Sequence, residues 1–264
     1  MSLHVDSSAA SQYIDCGSAA AIDDWTACSI VAWCRATSLA TLDDIRRIGA
    51  KTSTIPLGKE LQHAYHSSGI AQDCLRFRVN RATAVANAES VANTVVANEW
   101  MFAAGVYDEA SGPQIYKGTL TALVAEVAYS SGPTVGSGAT SSDADGPLRW
   151  GQRPIAGANA ASGFRGDISF GLYVNRRLTL AELQALQYRL LFYRFTEAKA
   201  AYQFGLHAGI GSQPDISGNG NTGTIVGSVT LADHVPLGPP FGFWNDVAYR
   251  VAVVGTPWYA YAQQ

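Results

Sequence analysis

The segment NEWMFAAGVYDEASGPQIYKG, residues 98 to 118, constrains the fold more than any other. Trp100, Phe102, Ala104 and Val106 alternate with Met101, Ala103 and Gly105, and a period of two is that of a β-strand. DEASGP then breaks the run and QIYKG begins another, so the segment reads as two strands joined by a turn. TACSIVAWCRA lies within a second strand, residues 25 to 36, of nearly continuous apolar character, as expected for a strand buried on both sides.

The rest of the chain repeats this strand-and-turn pattern. LHVDSSAASQYIDCG offers two short strands around a Ser/Ala turn. Ile45 and Ile48 lie in a further strand, with a bend expected at Gly49. A turn at Ser67, Ser68 and Gly69 precedes Leu75, Phe77 and Val79, with Arg76 and Arg78 expected to face water. Residues 83 to 97 read as strand or loop, 120 to 129 as a strand, and 131 to 147 as a long Gly/Ser/Pro/Asp loop. LRWGQRPIAG and FRGDISFGLYVN are two more strands. One helix is legible. Thr179 and Glu182 form a capping box, Leu183, Leu186 and Leu190 follow at helical spacing, and the end is expected near Arg194.

Composition supports an all-β chain. Of 264 residues, 47% are apolar, only 15% are charged and 26 are glycine, a profile of many strands and many turns. The net charge of −3 comes without a basic run, which argues against a nucleic-acid partner. No stretch of 18 apolar residues occurs, so no membrane span is expected. The N-terminus lacks the basic start and apolar core of a signal peptide. Cys16, Cys28, Cys34 and Cys74 are not spaced as zinc ligands. Buried free thiols are expected, with a disulfide or a reactive thiol as the alternatives.

Catalytic patterns are missing. Glu60, Glu89, Glu99, Glu109, Glu126, Glu182 and Glu197 are isolated and expected to be solvated, and no paired-carboxylate string of a glycosidase occurs. No G-x-S-x-G is present. His63 and His66 fall in an expected turn, with little claim to metal ligation. Asp143 and Asp145 in SSDADG make half of a calcium loop without its distal Glu, and read better as a plain turn.

Four segments in order resemble the laminin-G-like, concanavalin-A-like jelly-roll family, of the kind found in phage virion proteins. They are TACSIVAWCRA, with Trp33 at the family's Trp position, then NEWMFAAGVYD, QIYKGTLTA and FRGDISFGLYVNRRLTLAELQAL, together covering roughly residues 3 to 191. The resemblance implies an all-β concanavalin-A-like jelly-roll sandwich of two antiparallel sheets, with one short helix in the C-terminal half. The chain would divide into a jelly-roll domain over 1–200 and a C-terminal extension over 201–264. Lys117 replaces an Asn of the family pattern, and SFGLYVN lacks the family's acidic residues. No cofactor is therefore expected, calcium being the one ion the family would add. DISGNGNTGT resembles a motif that opens such domains, yet here it follows the helix. It either starts a second, truncated copy or supplies a strand by permutation.

The expected function is that of a non-catalytic virion structural protein, a capsid decoration or tail-fibre component. Its partners would be copies of itself or other virion subunits. The alternative is a lectin-like module, extracellular and binding a cell-surface glycan through rim loops such as 131–147. The tail carries Phe241, Phe243, Trp244, Trp258, Tyr259 and Tyr261. These either complete the core or form an arm that docks on a neighbouring subunit, because large aromatics dominate buried interfaces. The arm reading predicts that truncation at Pro236 leaves a folded β domain that no longer associates. Light scattering of the full and truncated chains checks this; outright unfolding of the truncated form would instead place the aromatics in the core.

Overall fold

The computed structural model describes residues 2–6, 12–41, 44–52, 58–65, 72–153, 163–189, 197–205 and 211–236. The tail aromatics Phe241, Phe243, Trp244, Trp258, Tyr259 and Tyr261 lie outside them, as do Ser67, Ser68, Gly69, His66 and the expected helix end at Arg194.

The strands in chain order are β1 (Ser2–Asp6), β2 (Tyr13–Asp15), β3 (Ala27–Ala36), β4 (Ile45–Thr52), β5 (Gly58–Ala64), β6 (Cys74–Val79), β7 (Ala86–Ser90) and β8 (Trp100–Asp108). They continue as β9 (Gly112–Thr119), β10 (Ala125–Glu126), β11 (Tyr129–Thr134), β12 (Leu148–Trp150), β13 (Arg165–Val174), β14 (Ala198–Gln203), β15 (Thr224–Val226) and β16 (Thr230–Ala232). They form two antiparallel sheets. Sheet A runs β10-β9-β8-β3-β13-β1-β16, and sheet B runs β11-β7-β6-β5-β4-β12-β2-β15. Strand β13 has β3 along one side; on the other, β1 pairs with its first half and β14 with its second.

Alternation along β8 explains how the layers stack. Met101 and Ala103 point between the sheets, where they join Ile30, Leu61, Phe77 and Trp150. Trp100, Phe102, Ala104 and Val106 point the other way, into a second apolar layer with Trp33, Phe170 and Leu172. Helix α1 (Leu180–Arg189) covers that layer through Leu183 and Leu186. Trp33 and Trp100 are thus buried beneath the helix rather than between the sheets. Trp33 donates its indole N–H to the Gln187 carbonyl at 2.9 Å. The capping box forms as read: Glu182 accepts from the Thr179 amide at 2.8 Å and the Thr179 hydroxyl accepts from the Glu182 amide at 3.4 Å. Arg176 clamps Glu182 from outside, and its hydrogen bond holds the carboxyl down at about 2.

Other expectations resolve in detail. The bend expected at Gly49 coincides with a register shift between Arg47 and Gly49. Residues 83 to 97 hold β7 followed by turns, and the strand expected over 120–129 divides into β10 and β11. All four cysteines are buried and free, and burial pushes the thiols of Cys28 and Cys74 up to about 12. Trp150, unremarked in the sequence, wedges between the sheets so closely that a Cβ on Gly49 or Gly171 would come within 2.7 or 2.8 Å of its ring.

The described part of the extension is woven into the sandwich. The expected boundary at residue 200 falls inside β14. Strand β15 pairs with β2 in sheet B, and β16 pairs with β1 in sheet A. DISGNGNTGT thus leads into edge strands for both sheets. Its residues tie the turn to β14. Asp215 accepts from the amides of Ala201, Ser217 and Asn221, while the side-chain amides of Asn219 and Asn221 donate to the carbonyls of Ala198 and Lys199. Gly218 and Gly220 hold φ of +83° and +79°, which glycine adopts without the steric cost of a side chain.

Gly105 sets the fit between the sheets at the far end of β8. A Cβ there would lie 2.3 Å from the ring of Phe77 in sheet B. Gly105→Ala should destabilise the domain by about 1–3 kcal/mol, as overpacking does, and urea unfolding measures it.

Candidate functional site

The two outer faces of the sandwich differ in chemistry. Much of the outer face of sheet A lies under α1 and is apolar. The outer face of sheet B is polar, and register places its side chains in two rows. One row crosses all eight strands: Thr224, Asp15, Arg149, Ala50, Glu60, Arg78, Asn87 and Thr134. At about 4.8 Å per strand it spans roughly 34 Å. The parallel row holds Arg47, Gln62, Arg76, Glu89 and Ser131.

The centre of this face is crowded and incompletely bonded. Gln62 donates to Glu60 Oε2, leaving Gln62 Oε1 without a partner. Glu60 Oε1 lies 3.0 Å from Arg153 Nε and 3.7 Å from Arg47 Nε, and neither contact is aligned as a hydrogen bond. Arg76 Nε donates to Asn87 Oδ1 at 2.7 Å and stands 3.6 Å from Glu89. Arg78 Nε has no hydrogen-bond partner. Burial draws the Arg47 guanidinium down to about 10, Glu60 opposing and Arg153 and Arg78 adding to the shift. Arg78 is lowered by burial first, then by Arg76. At one end Arg149 bonds Asp15 at 2.9 Å and lies 4.4 Å over the ring of Tyr13.

Several sequence expectations are corrected on this sheet. Arg76 and Arg78 point away from the core as read, yet they are half-buried rather than solvated. Glu60 and Glu89 are 2% and 1% exposed, not surface carboxylates, because they lie among arginines. His63 is no turn residue but faces inward from β5, bonded to Asp73 at 3.0 Å. The loop 131–147, expected to hold a sugar, carries no aromatic. It is pinned along β7 by pairing of β11, by a bridge from Ser137 to Ala84, and by Arg81 donating to Gly138. These arrangements depend on cross-strand register, so only the Arg76/Arg78 alternation signalled them in sequence.

Calcium does not fit the SSDADG loop. Asp143 is fully buried and bonds Lys59 Nζ at 2.5 Å. The oxygens that a cation would need already surround the Lys51 ammonium: Asp23 Oδ1 at 2.7 Å, the Asp143 carbonyl at 2.6 Å and the Gly146 carbonyl at 2.5 Å. An added cation would meet two buried ammonium groups there. No group of three or more candidate metal-ligating side chains occurs among the described residues.

A polar row also closes one end of sheet A: His4, Asp167, Arg35 and Trp100 stand on neighbouring strands. Asp167 is shared by His4 at 2.7 Å and Arg35 at 2.8 Å, and Arg35 lies 5.1 Å over the Trp100 ring. This row braces four strands. A depression of about 260 Å³ beside it is lined by Asn98, Glu99, Trp100, Thr119, Leu120 and Thr121.

No family model matches the sequence, and no curated protein matches it. The structure is similar to a crystal structure described as a "putative carbohydrate binding protein" from Bacteroides ovatus, with a TM-score of 0.62 and 16% identity over 90% of this chain. The chain has a jelly-roll fold of two antiparallel sheets. It spans 61% of that protein's length. More distant likenesses are the heptameric SAP-like pentraxin of Limulus polyphemus, with a TM-score of 0.41, 10% identity and coverage of 61% of this chain and 70% of that one, and the binding domain of botulinum neurotoxin serotype G, with a TM-score of 0.36, 12% identity and coverage of 62% and 36%.

The hydrogen bond to Asp167 raises the His4 pKa above 6.5. His4 therefore contributes stability that is fully present below pH 6.5 and is lost as pH rises through the folded value. His63 and His234, lowered by burial, act in the opposite sense as pH falls. Comparing His4→Gln with the unaltered chain by urea unfolding isolates the first effect. The stability gap should be widest in acid and shrink as pH rises.

Proposed function

We propose that the chain is a non-catalytic, lectin-like module that binds glycans on the outer face of sheet B. The observation that carries this reading is the pair of polar rows, in which Arg76, Arg78 and Asn87 stand partly exposed over buried polar atoms that lack partners. Such groups are costly to leave unpaired and reward a ligand rich in hydroxyls. Tyr13 adds an aromatic surface at one end. The similarity to a protein described as carbohydrate binding supports the same reading. Among the described residues, the helix-covered face of sheet A offers no comparable surface.

A virion setting would place such a module at a particle surface facing host glycans, with Phe241, Phe243, Trp244, Trp258, Tyr259 and Tyr261 as its contact to neighbouring subunits. The proposed activity does not depend on that setting.

A glycan array followed by calorimetry tests the reading. At least one saccharide should bind, and Arg76→Ala combined with Asn87→Ala should weaken it about tenfold or more, as loss of charge-assisted hydrogen bonds does. The control His4→Gln should bind normally. Saccharide binding indifferent to the paired substitution would remove the site. Hydrolysis of a bound glycan, abolished by a single Glu or Asp substitution, would remove the non-catalytic assignment.

A further inference from the structure

Charge on the sheet B face narrows the ligand class. Around its centre four guanidiniums, of Arg47, Arg76, Arg78 and Arg153, face two carboxylates, of Glu60 and Glu89. The excess is two positive charges in a chain whose net charge is −3. It is also unevenly compensated. Glu60 is shared between Arg47 and Arg153, Glu89 stands by Arg76, and Arg78 has no ion-pair partner among the described residues. The carboxylates are nearly covered, whereas the side chains of Arg76 and Arg153 remain 17% and 18% exposed, and Arg78 is partly exposed. Positive charge is thus presented outward over a buried negative layer.

We infer that this face binds an acidic saccharide, whose anionic group is taken by Arg78 together with Arg76 and Arg153. The inference rests on the glycan-binding reading and specifies its ligand. Each guanidinium offers a planar fork of donors that matches a carboxylate or sulfate. Burial first, and then the neighbouring arginines, lower the pKa values of Arg47 and Arg78, and an entering anion offsets the repulsion among them. Asn87, partly exposed beside Arg76, offers its side-chain amide to a neighbouring sugar hydroxyl, a bond that a bare anion does not use. Nucleic acid is disfavoured, since a phosphate backbone needs an extended basic surface. Here Arg149 is already neutralised by Asp15.

Calorimetry with trimers of galacturonate, glucuronate and mannuronate, their neutral counterparts and a sulfated galactose trimer tests the inference. Each is run on the unaltered chain and on Arg78→Gln, with urea midpoints confirming that the variant folds. An acidic trimer should bind about tenfold or more tightly than its neutral counterpart, weaken with salt, and lose that advantage in the variant. A uronate or the sulfated trimer as the best ligand each supports the inference and says which anion is recognised. Neutral trimers binding as tightly as acidic ones, in both proteins, would overturn it and leave the glycan reading standing. No trimer binding at all would overturn it, and a blank glycan array would overturn the glycan reading as well. Oligothymidylate or oligoglutamate binding as tightly as the best trimer would show charge recognised without sugar, and would likewise overturn it.

Discussion

Burial of β3 and β13 on both faces is the constraint on which the rest depends. One face meets the sandwich core around Trp150 and Phe77, and the other meets α1 through Trp33, Phe170 and Leu172. A strand enclosed in this way has little room for charge. The charged positions of β3 and β13 accordingly fall towards one end, where Arg35 and Asp167 satisfy each other. The long polar rows stand on sheet B, whose outer face is not under the helix.

Sheet B has its own geometric requirement. Its core-facing residues must interlock with sheet A, as Phe77 does against Gly105 and Trp150 against Gly49 and Gly171. These close approaches hold the sheet's register to its partner. With the inward side chains held, the outward ones at the next positions are held too. Glu60, Arg78 and Asn87 therefore align across three strands without needing to bond one another. A rigid scaffold that positions partly unsatisfied polar groups is suited to binding.

The loops at the rim serve stability instead. Lys51 and Lys59 draw residues 141–146 and Asp23 inward, so ammonium groups take the role that a bound cation would have in fastening such a loop. The DISGNGNTGT turn uses a side-chain carboxylate and two amides in a comparable way to fasten the chain beside β14.

Local sequence was enough to reveal the fold class. The period-two runs at Trp100–Val106 and Leu75–Val79, the continuous apolar strand around Trp33 and the Thr179–Glu182 capping box each depend on neighbours a few residues away. The same periodicity showed that Arg76 and Arg78 point away from the core. It could not show what they meet there. Glu60 and Glu89 lie far apart along the chain, and only the pairing of β5, β6 and β7 sets them among arginines and takes them out of water. Pairing also carries β15 and β16 back to β2 and β1, which a motif read in isolation left open. Strand alternation is a local property of backbone stereochemistry, whereas register between distant strands is decided by the packing of the whole sandwich, and the candidate site exists only in that register.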